Sequence, residues 1–330
     1  MERRHLGKKG PAVSALGLGC MGMSDLYGPA DRAESLATIA MAAERGITLI
    51  DTGDFYGMGD NEMLIGEALK ALPRDRLTLS VKFGALRDAD GGWRGYDSRP
   101  AAVANFAAYS LRRLGTDHID IYRPARLDPD VPIEETVGAI AELIRKGHVR
   151  HIGLSEMGPE TIRRAHAVHP IADLQIEYSL LSRGIEAEIL ATCRELGIGI
   201  TAYGVLSRGL ISGHWSKGCG GAGDFRAMSP RFQGGNLDRN LELVEALRRI
   251  AEAKGVSVAQ IAIAWVAARG ADIVPLVGAR RRDRLDEALG ALDVELRAED
   301  MDAIERAVPP GAAAGARYPE PMLAHMDSER

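Results

Sequence analysis

Short apolar segments alternate with helical stretches about eight times along the chain, with no linker between them, and few folds accept that rhythm. The apolar segments fall at 15–20, 47–51, 77–83, 118–123, 149–155, 173–178, 199–203 and 273–277. Helix-like runs lie near 31–45, 61–72, 99–113, 134–146, 159–167, 186–196, 237–253, 257–269 and 281–289, with a further one near 299–307. Strands alternating with helices predict parallel βαβ units. Eight of them predict a closed (β/α)8 TIM barrel in preference to an open doubly wound sheet. Residues 1–14, with Gly7 and Gly10 between two short extended pieces, predict a small N-terminal β-hairpin, and 299–307 an extra C-terminal helix. We therefore expect residues 1–330 to form one barrel domain.

Register follows from the twofold alternation of strand side chains. Leu77, Leu79, Val81 and Phe83 share one face and suit the helix side, so Lys82 points into the barrel near its strand's C-terminal end. Barrel active sites lie at that end. Asp51 closes the neighbouring strand, and Tyr56 follows it by five residues. A phenol beside an ammonium that a carboxylate holds is a route to a usable general acid, because a neighbouring positive charge stabilises phenolate. Asp51, Tyr56 and Lys82 are accordingly the predicted catalytic set. The segment 204–236 is glycine-rich, aperiodic and too long for a passive connector, and is expected to act as a flap over a ligand.

Composition excludes other classes. Net charge is −5 with both signs interspersed, which argues against a nucleic-acid partner. No apolar run reaches the roughly 18 residues of a membrane helix. The N-terminus lacks the apolar core of a secretory signal, and three scattered cysteines form neither a disulfide framework nor a metal spacing. A cytoplasmic protein with no membrane partner is expected. The pairs His148/His151 and His166/His169 read as structural or solvent-facing, so no metal is expected. Oligomeric state is open: a homo-oligomer is compatible with the sequence.

Asp51-Thr-Gly-Asp-Phe-Tyr-Gly57 followed by Asn61-Glu62 closely resembles the aldo-keto reductase signature. The resemblance continues from Leu6-Gly7 to about Leu289, through Val131-Pro-Ile-Glu-Glu135, Lys146-Gly147, His151-Ile-Gly-Leu-Ser155, Gln175-Ile-Glu-Tyr178 and Ala202-Tyr203-Gly204. The chain looks like a bacterial member of the pyridoxal-reductase-like and aryl-alcohol-dehydrogenase-like branches. That resemblance implies a barrel binding NADPH/NADP+ without a dinucleotide fingerprint; Gly17-Leu-Gly-Cys-Met-Gly22 has the wrong spacing for one. It implies reduction of an aldehyde or ketone, reversible as alcohol oxidation, with Tyr56 as general acid and a small carbonyl or alcohol as partner. Two rival readings are an NADPH-binding redox-sensing barrel with little turnover and a carbon–carbon lyase using Lys82 as a Schiff base.

By the same resemblance, Ser155 and Gln175 hold the nicotinamide carboxamide and Tyr203 stacks on the ring. Glu156, where relatives carry asparagine, is expected to accept from the carboxamide and to strengthen the hydride donor. Gly204, Leu206, Arg208 and Lys217 fall in the cofactor-covering loop, with Arg208 and Lys217 clamping the diphosphate. The stretch Gly278-Ala-Arg-Arg-Arg-Asp-Arg-Leu-Asp-Glu287 runs from the last strand into a helix whose N-terminus suits an anion. Gly278, Arg280, Arg284 and Glu287 are the cofactor positions there. One departure stands out: Tyr122-Arg-Pro-Ala-Arg-Leu-Asp128 puts Ala125 where relatives have a catalytic histidine. Met23, Tyr27, Trp93 and Ala125 are expected to line the substrate pocket, with Tyr27 and Trp93 forming an aromatic wall.

Overall fold

The computed structural model describes residues 1–24, 26–215 and 224–330. Strands β1 (Arg3–His5) and β2 (Ala12–Ser14) form the antiparallel hairpin expected at the start. Eight parallel strands then close a barrel: β3 (Gly17–Gly19), β4 (Leu49–Gly53), β5 (Thr78–Phe83), β8 (Ile119–Pro124), β9 (Val149–Ser155), β10 (Ile171–Glu177), β11 (Gly199–Tyr203) and β12 (Ile273–Gly278). Between β5 and β8 a second hairpin pairs β6 (Ala85–Arg87) with β7 (Trp93–Tyr96). The crossover helices are α1 (Arg32–Glu44), α2 (Asp60–Leu69), α3 (Pro100–Leu114), α4 (Ile133–Arg145), α5 (Pro159–Val168), α6 (Ile189–Leu196), α7 (Gly234–Lys254), α8 (Val258–Ala268) and α9 (Arg282–Leu289). Two more, α10 (Ala298–Ala307) and the short α11 (Glu320–Leu323), follow the barrel.

Helix ends obey local chemistry. The Asp31 side chain accepts from the Glu34 N–H at the start of α1, and Ser257 and Gln260 form a reciprocal capping box on α8. Gly115, in the left-handed region at φ 64°, ends α3 as a side-chain-bearing residue would not without strain.

The alternation within each strand sorts the core into two parts. Leu79, Val81 and Phe83 pack outward with the helices in the main cluster. Leu49, Ile121, Val274 and Leu276 point inward and fill the lower barrel, where Leu6 and Val13 of the first hairpin plug it. Two residues further along the strands, the inward positions turn polar. Asp51, Ser80, Arg123, Asp173 and Gln175 all lie there, each no more than 3% exposed. Arg123 and Asp173 form an ion pair at 3.1 Å with both side chains fully enclosed. Gly153 makes the room: a Cβ there would lie 2.7 Å from Asp173 Oδ1 and 3.0 Å from Arg123 Cζ. The barrel is thus plugged with hydrocarbon at one end and charged at the other.

Among the described residues no single helix is long and apolar enough to cross a membrane.

Candidate active site

Register brings the predicted trio together. Strand β4 pairs with β5 so that Asp51 sits beside Ser80 and Gly53 beside Lys82. Lys82 Nζ meets Asp51 Oδ1 at 2.5 Å, and both side chains are about 5% exposed. Asp51 Oδ2 accepts from Ser80 Oγ at 2.7 Å and from Gln175 Nε2 at 2.7 Å. The carboxylate therefore links three strands and fixes the ammonium. Lys82 Nζ stands 5.4 Å from the centre of the Tyr56 ring, which is 6% exposed. Burial pulls the lysine below its usual value, and Asp51 works against that pull.

The tyrosine differs from expectation in its titration. Burial, and next the Asp51 charge, push the Tyr56 phenol well above 10, and the cation that pulls it back is Arg126. Lys82 was expected to lower it. The physical reason is that Asp51 neutralises the ammonium it holds, so the pair as seen from Tyr56 carries little net positive charge. Tyr56 is a protonated donor through the neutral range.

Ser155 and Gln175 face each other across β9 and β10. Gln175 spends its NH2 on Asp51, and its carbonyl oxygen has no partner among the described residues. Ser155 Oγ receives only Arg126 Nη1, at 3.3 Å. An amide oxygen and a hydroxyl at the barrel mouth suit a carboxamide NH2.

Glu156 sits differently from its expected place. It is fully buried in a left-handed conformation, φ 52°. Its Oε1 accepts from the Glu177 N–H, Tyr203 Oη and Arg317 Nη1 at 3.0, 2.6 and 3.0 Å, and Oε2 from Arg317 Nη2 and Ser328 Oγ, both at 2.6 Å. Burial alone would raise its pKa; Arg317 above all overcomes that and brings it down to about 2. The carboxylate thus anchors the C-terminal segment. Tyr318 joins the anchor, its hydroxyl 2.9 Å from that of Tyr203. Arg208 donates to Arg317 O at 2.7 Å and lies 4.2 Å over the Tyr318 ring.

Gly204, at φ 67°, turns the chain after β11 against the Glu177 side chain, and Leu206 packs on the core partly buried. Lys217 lies outside the described residues, so only part of the predicted flap is placed. Its return arm is latched by a bridge between Tyr27 and Asp224, with Arg226 4.9 Å over the Tyr27 ring. At the last strand's end, Gly278 leaves open space, since an added Cβ would meet nothing nearer than 3.9 Å. Arg280 binds the carbonyls of Tyr27, Gly28 and Pro29 at 3.1–3.3 Å. Arg284 meets His214 at 2.5 Å and Glu287 at 3.1 Å, and His214 meets Glu287 at 2.9 Å. This clasp ties the loop to α9.

Of the pocket residues, Met23 and Ala125 are buried at 4% and 3%, and Ala125 continues the barrel ladder by donating to Phe83 O at 2.8 Å. Trp93 is 45% exposed on the second hairpin, its ring 5.7 Å from Phe55, which lies 4.7 Å from Tyr56. Tyr27 and Trp93 each pack on other residues, against Arg226 and Phe55 respectively. Sequence reasoning missed Arg126, Arg317 and Tyr318. Only the first had a local signal, being the next residue after Ala125.

Fold and site together define a closed (β/α)8 barrel with a buried tyrosine beside a buried ion pair at its C-terminal rim. The sequence model of the Aldo/keto reductase family matches residues 15–309, and the chain belongs to that family. It is 43% identical over 319 residues to a probable aldo-keto reductase 1 of Glycine max, covering 95% of this chain and 90% of the relative. Among solved structures it resembles a glycerol dehydrogenase from Gluconobacter oxydans, with TM-score 0.84 and 28% identity over 93% of this chain and 96% of that one. It also resembles an aldo-keto reductase from Bacillus halodurans in its holo form, with TM-score 0.78 and 29% identity over 96% and 98%. The protein is an NAD(P)-dependent oxidoreductase acting on carbonyl groups of small molecules.

Proposed function

We propose that the chain, as one barrel unit, is an NADPH-dependent reductase of an aldehyde or ketone, reversible as an alcohol dehydrogenase, working in the cytoplasm. The observation that carries this reading is Tyr56, buried and protonated, beside the Asp51–Lys82 pair at 2.5 Å. Ser155 and Gln175 would hold the carboxamide, and Tyr203 would lie along the ring. Gly278 and the first turn of α9 would receive phosphate, with Arg284, Glu287 and His214 opening and reclosing as the clasp. When bound, the reduced nicotinamide supplies a hydride, one hydrogen with two electrons, to the carbonyl carbon.

The residues of this chain do the rest. Tyr56 donates to the substrate oxygen and gives it a proton as the carbonyl π pair moves onto that oxygen. The tyrosinate then recovers its proton from water. Lys82, held by Asp51, packs beside the Tyr56 ring and helps fix it. The test is NADPH oxidation, followed at its near-ultraviolet absorbance, against small aliphatic and aromatic aldehydes. Turnover supports the reading.

Ala125 favours one second reading, because an alanine cannot orient or protonate a carbonyl as imidazole does. In it the barrel binds NADPH and reports redox state without turnover. Tight NADPH binding with no consumption across the panel would select that alternative.

A further inference from the structure

Among the described residues, four of the arginines enclosed around the barrel mouth are paired with carboxylates, while Arg280 is spent on the carbonyls of Tyr27, Gly28 and Pro29. Arg123 faces Asp173 at 3.1 Å, Arg208 faces Glu177 at 3.4 Å, Arg231 faces Glu177 at 3.6 Å and Arg317 faces Glu156 at 2.6 Å. Arg126 makes no ion pair with any described carboxylate. Its Nη1 donates to Ala125 O at 2.6 Å and to Ser155 Oγ at 3.3 Å, and its other guanidinium nitrogens have no protein acceptor among the described residues. It is partly buried, directly after Ala125, the residue that follows β8 where the family resemblance places a histidine. A guanidinium stays protonated at all accessible pH values, and an uncompensated one in a cleft favours an anionic partner. Within its electrostatic reach lie Tyr56, Lys82, Tyr96, Glu156, Tyr203 and Tyr318. Lys82 and Glu156 are already neutralised by their own partners.

We propose that Arg126 is a catalytic residue: it donates to the substrate's carbonyl oxygen and stabilises the negative charge that gathers there, in the place left by the missing imidazole. This rests on the reductase reading above. As hydride arrives, the carbon–hydrogen bond forms, the π pair moves to oxygen, and Tyr56 loses its proton to that oxygen. Arg126 keeps all its protons throughout. Its charge is greatest in effect where the oxygen is most negative, so it acts on the transition state more than on the bound aldehyde. It also favours tyrosinate, which the reverse reaction needs as a base.

The test is Arg126→Met, with Arg126→Lys beside it, on the NADPH-loaded enzyme and a small neutral aldehyde. Removing one preorganised donor of this kind costs about 100- to 1,000-fold in kcat, with KM changing far less. The basic limb of the alcohol-oxidation pH profile moves upward, because Tyr56 loses the cation that favours its ionised form. Arg126→Lys recovers part of the rate. Thermal melting of Arg126→Met stays level or rises, since an unpaired charge has been removed; a merely structural arginine would lower it. Acetate, as a small oxyanion probe, is titrated against wild type and Arg126→Met by saturation-transfer NMR, and the methionine variant should bind it at least about 10-fold more weakly. Unchanged kcat and unchanged acetate affinity in a folded Arg126→Met overturn the proposal. A kcat loss confined to carboxylate-bearing substrates also overturns it, since that would make Arg126 a binding group only. Should wild type reduce nothing, the reductase reading fails by itself, and acetate decides: weaker binding by the variant upholds an oxyanion slot at Arg126, and equal binding refutes it.

Discussion

Arg317→Met should loosen the C-terminal segment by an amount that can be worked out from Glu156. That carboxylate is fully buried, and its pKa falls from 4.5 to about 2, chiefly through Arg317 against the cost of burial. A depression of that size corresponds to roughly 3 kcal/mol of stabilisation at neutral pH. The group binds its proton more weakly folded than unfolded, so the stabilisation is complete above about pH 4.5 and is lost as the pH falls toward about 2. Removing Arg317 leaves a buried anion with two hydroxyls and one N–H as donors. Breaking one side of such a pair typically costs about 3–5 kcal/mol. Part of that cost should appear as local release of residues 317–330, which are otherwise held by Arg208 on Arg317 O, Tyr203 on Tyr318 and Asp327 on the Gly158 N–H. Hydrogen exchange of the 317–330 peptide at pH 7 is the direct assay, with thermal melting alongside. Faster exchange confined to that peptide and to residues around Glu156 is expected, and the difference between wild type and variant should shrink at pH 3. Unchanged exchange at pH 7 would refute the claim that Glu156 is a tail anchor.

Three more substitutions test the buried charges. Asp54 is 8% exposed, and burial followed by the Glu62 charge raises its pKa from 3.8 to about 8. Folding therefore takes up a proton there, so stability falls as pH rises from about 4 to about 8, and Asp54→Asn should flatten that decline in urea titrations. At the buried Asp51–Lys82 pair, Lys82→Met leaves Asp51 with Ser80 and Gln175 as donors, whereas Asp51→Ala strips Lys82 of its one carboxylate. Asp51→Ala should thus be the more destabilising, toward about 3–5 kcal/mol by urea unfolding; the reverse order would contradict the network described for the barrel mouth.

The barrel was legible because its signals are local. The strand 77–83 shows its two faces within seven residues, and the structure keeps them, with Phe83 outward and Lys82 inward. Asp51, Tyr56 and Lys82 could be placed for the same reason, since parallel pairing of consecutive strands sets their proximity. The hairpin of β6 and β7 was not legible: its strands hold three and four residues, with Gly95 and two arginines among them and little apolar alternation. Glu156 was misplaced for a different reason. Its partner Arg317 is 161 positions away, and no periodicity connects the two. The unpaired state of Arg126 was equally invisible, because it depends on where every nearby carboxylate has found another cation.

The most direct trial of the central claim is Tyr56→Phe, measured for NADPH affinity by fluorescence titration and for aldehyde reduction at saturating cofactor. Loss of a general acid predicts a kcat lower by about 100- to 10,000-fold, with NADPH affinity nearly unchanged because the hydroxyl is assigned to the substrate oxygen. A phenylalanine variant that reduces aldehydes at the wild-type rate would contradict the account.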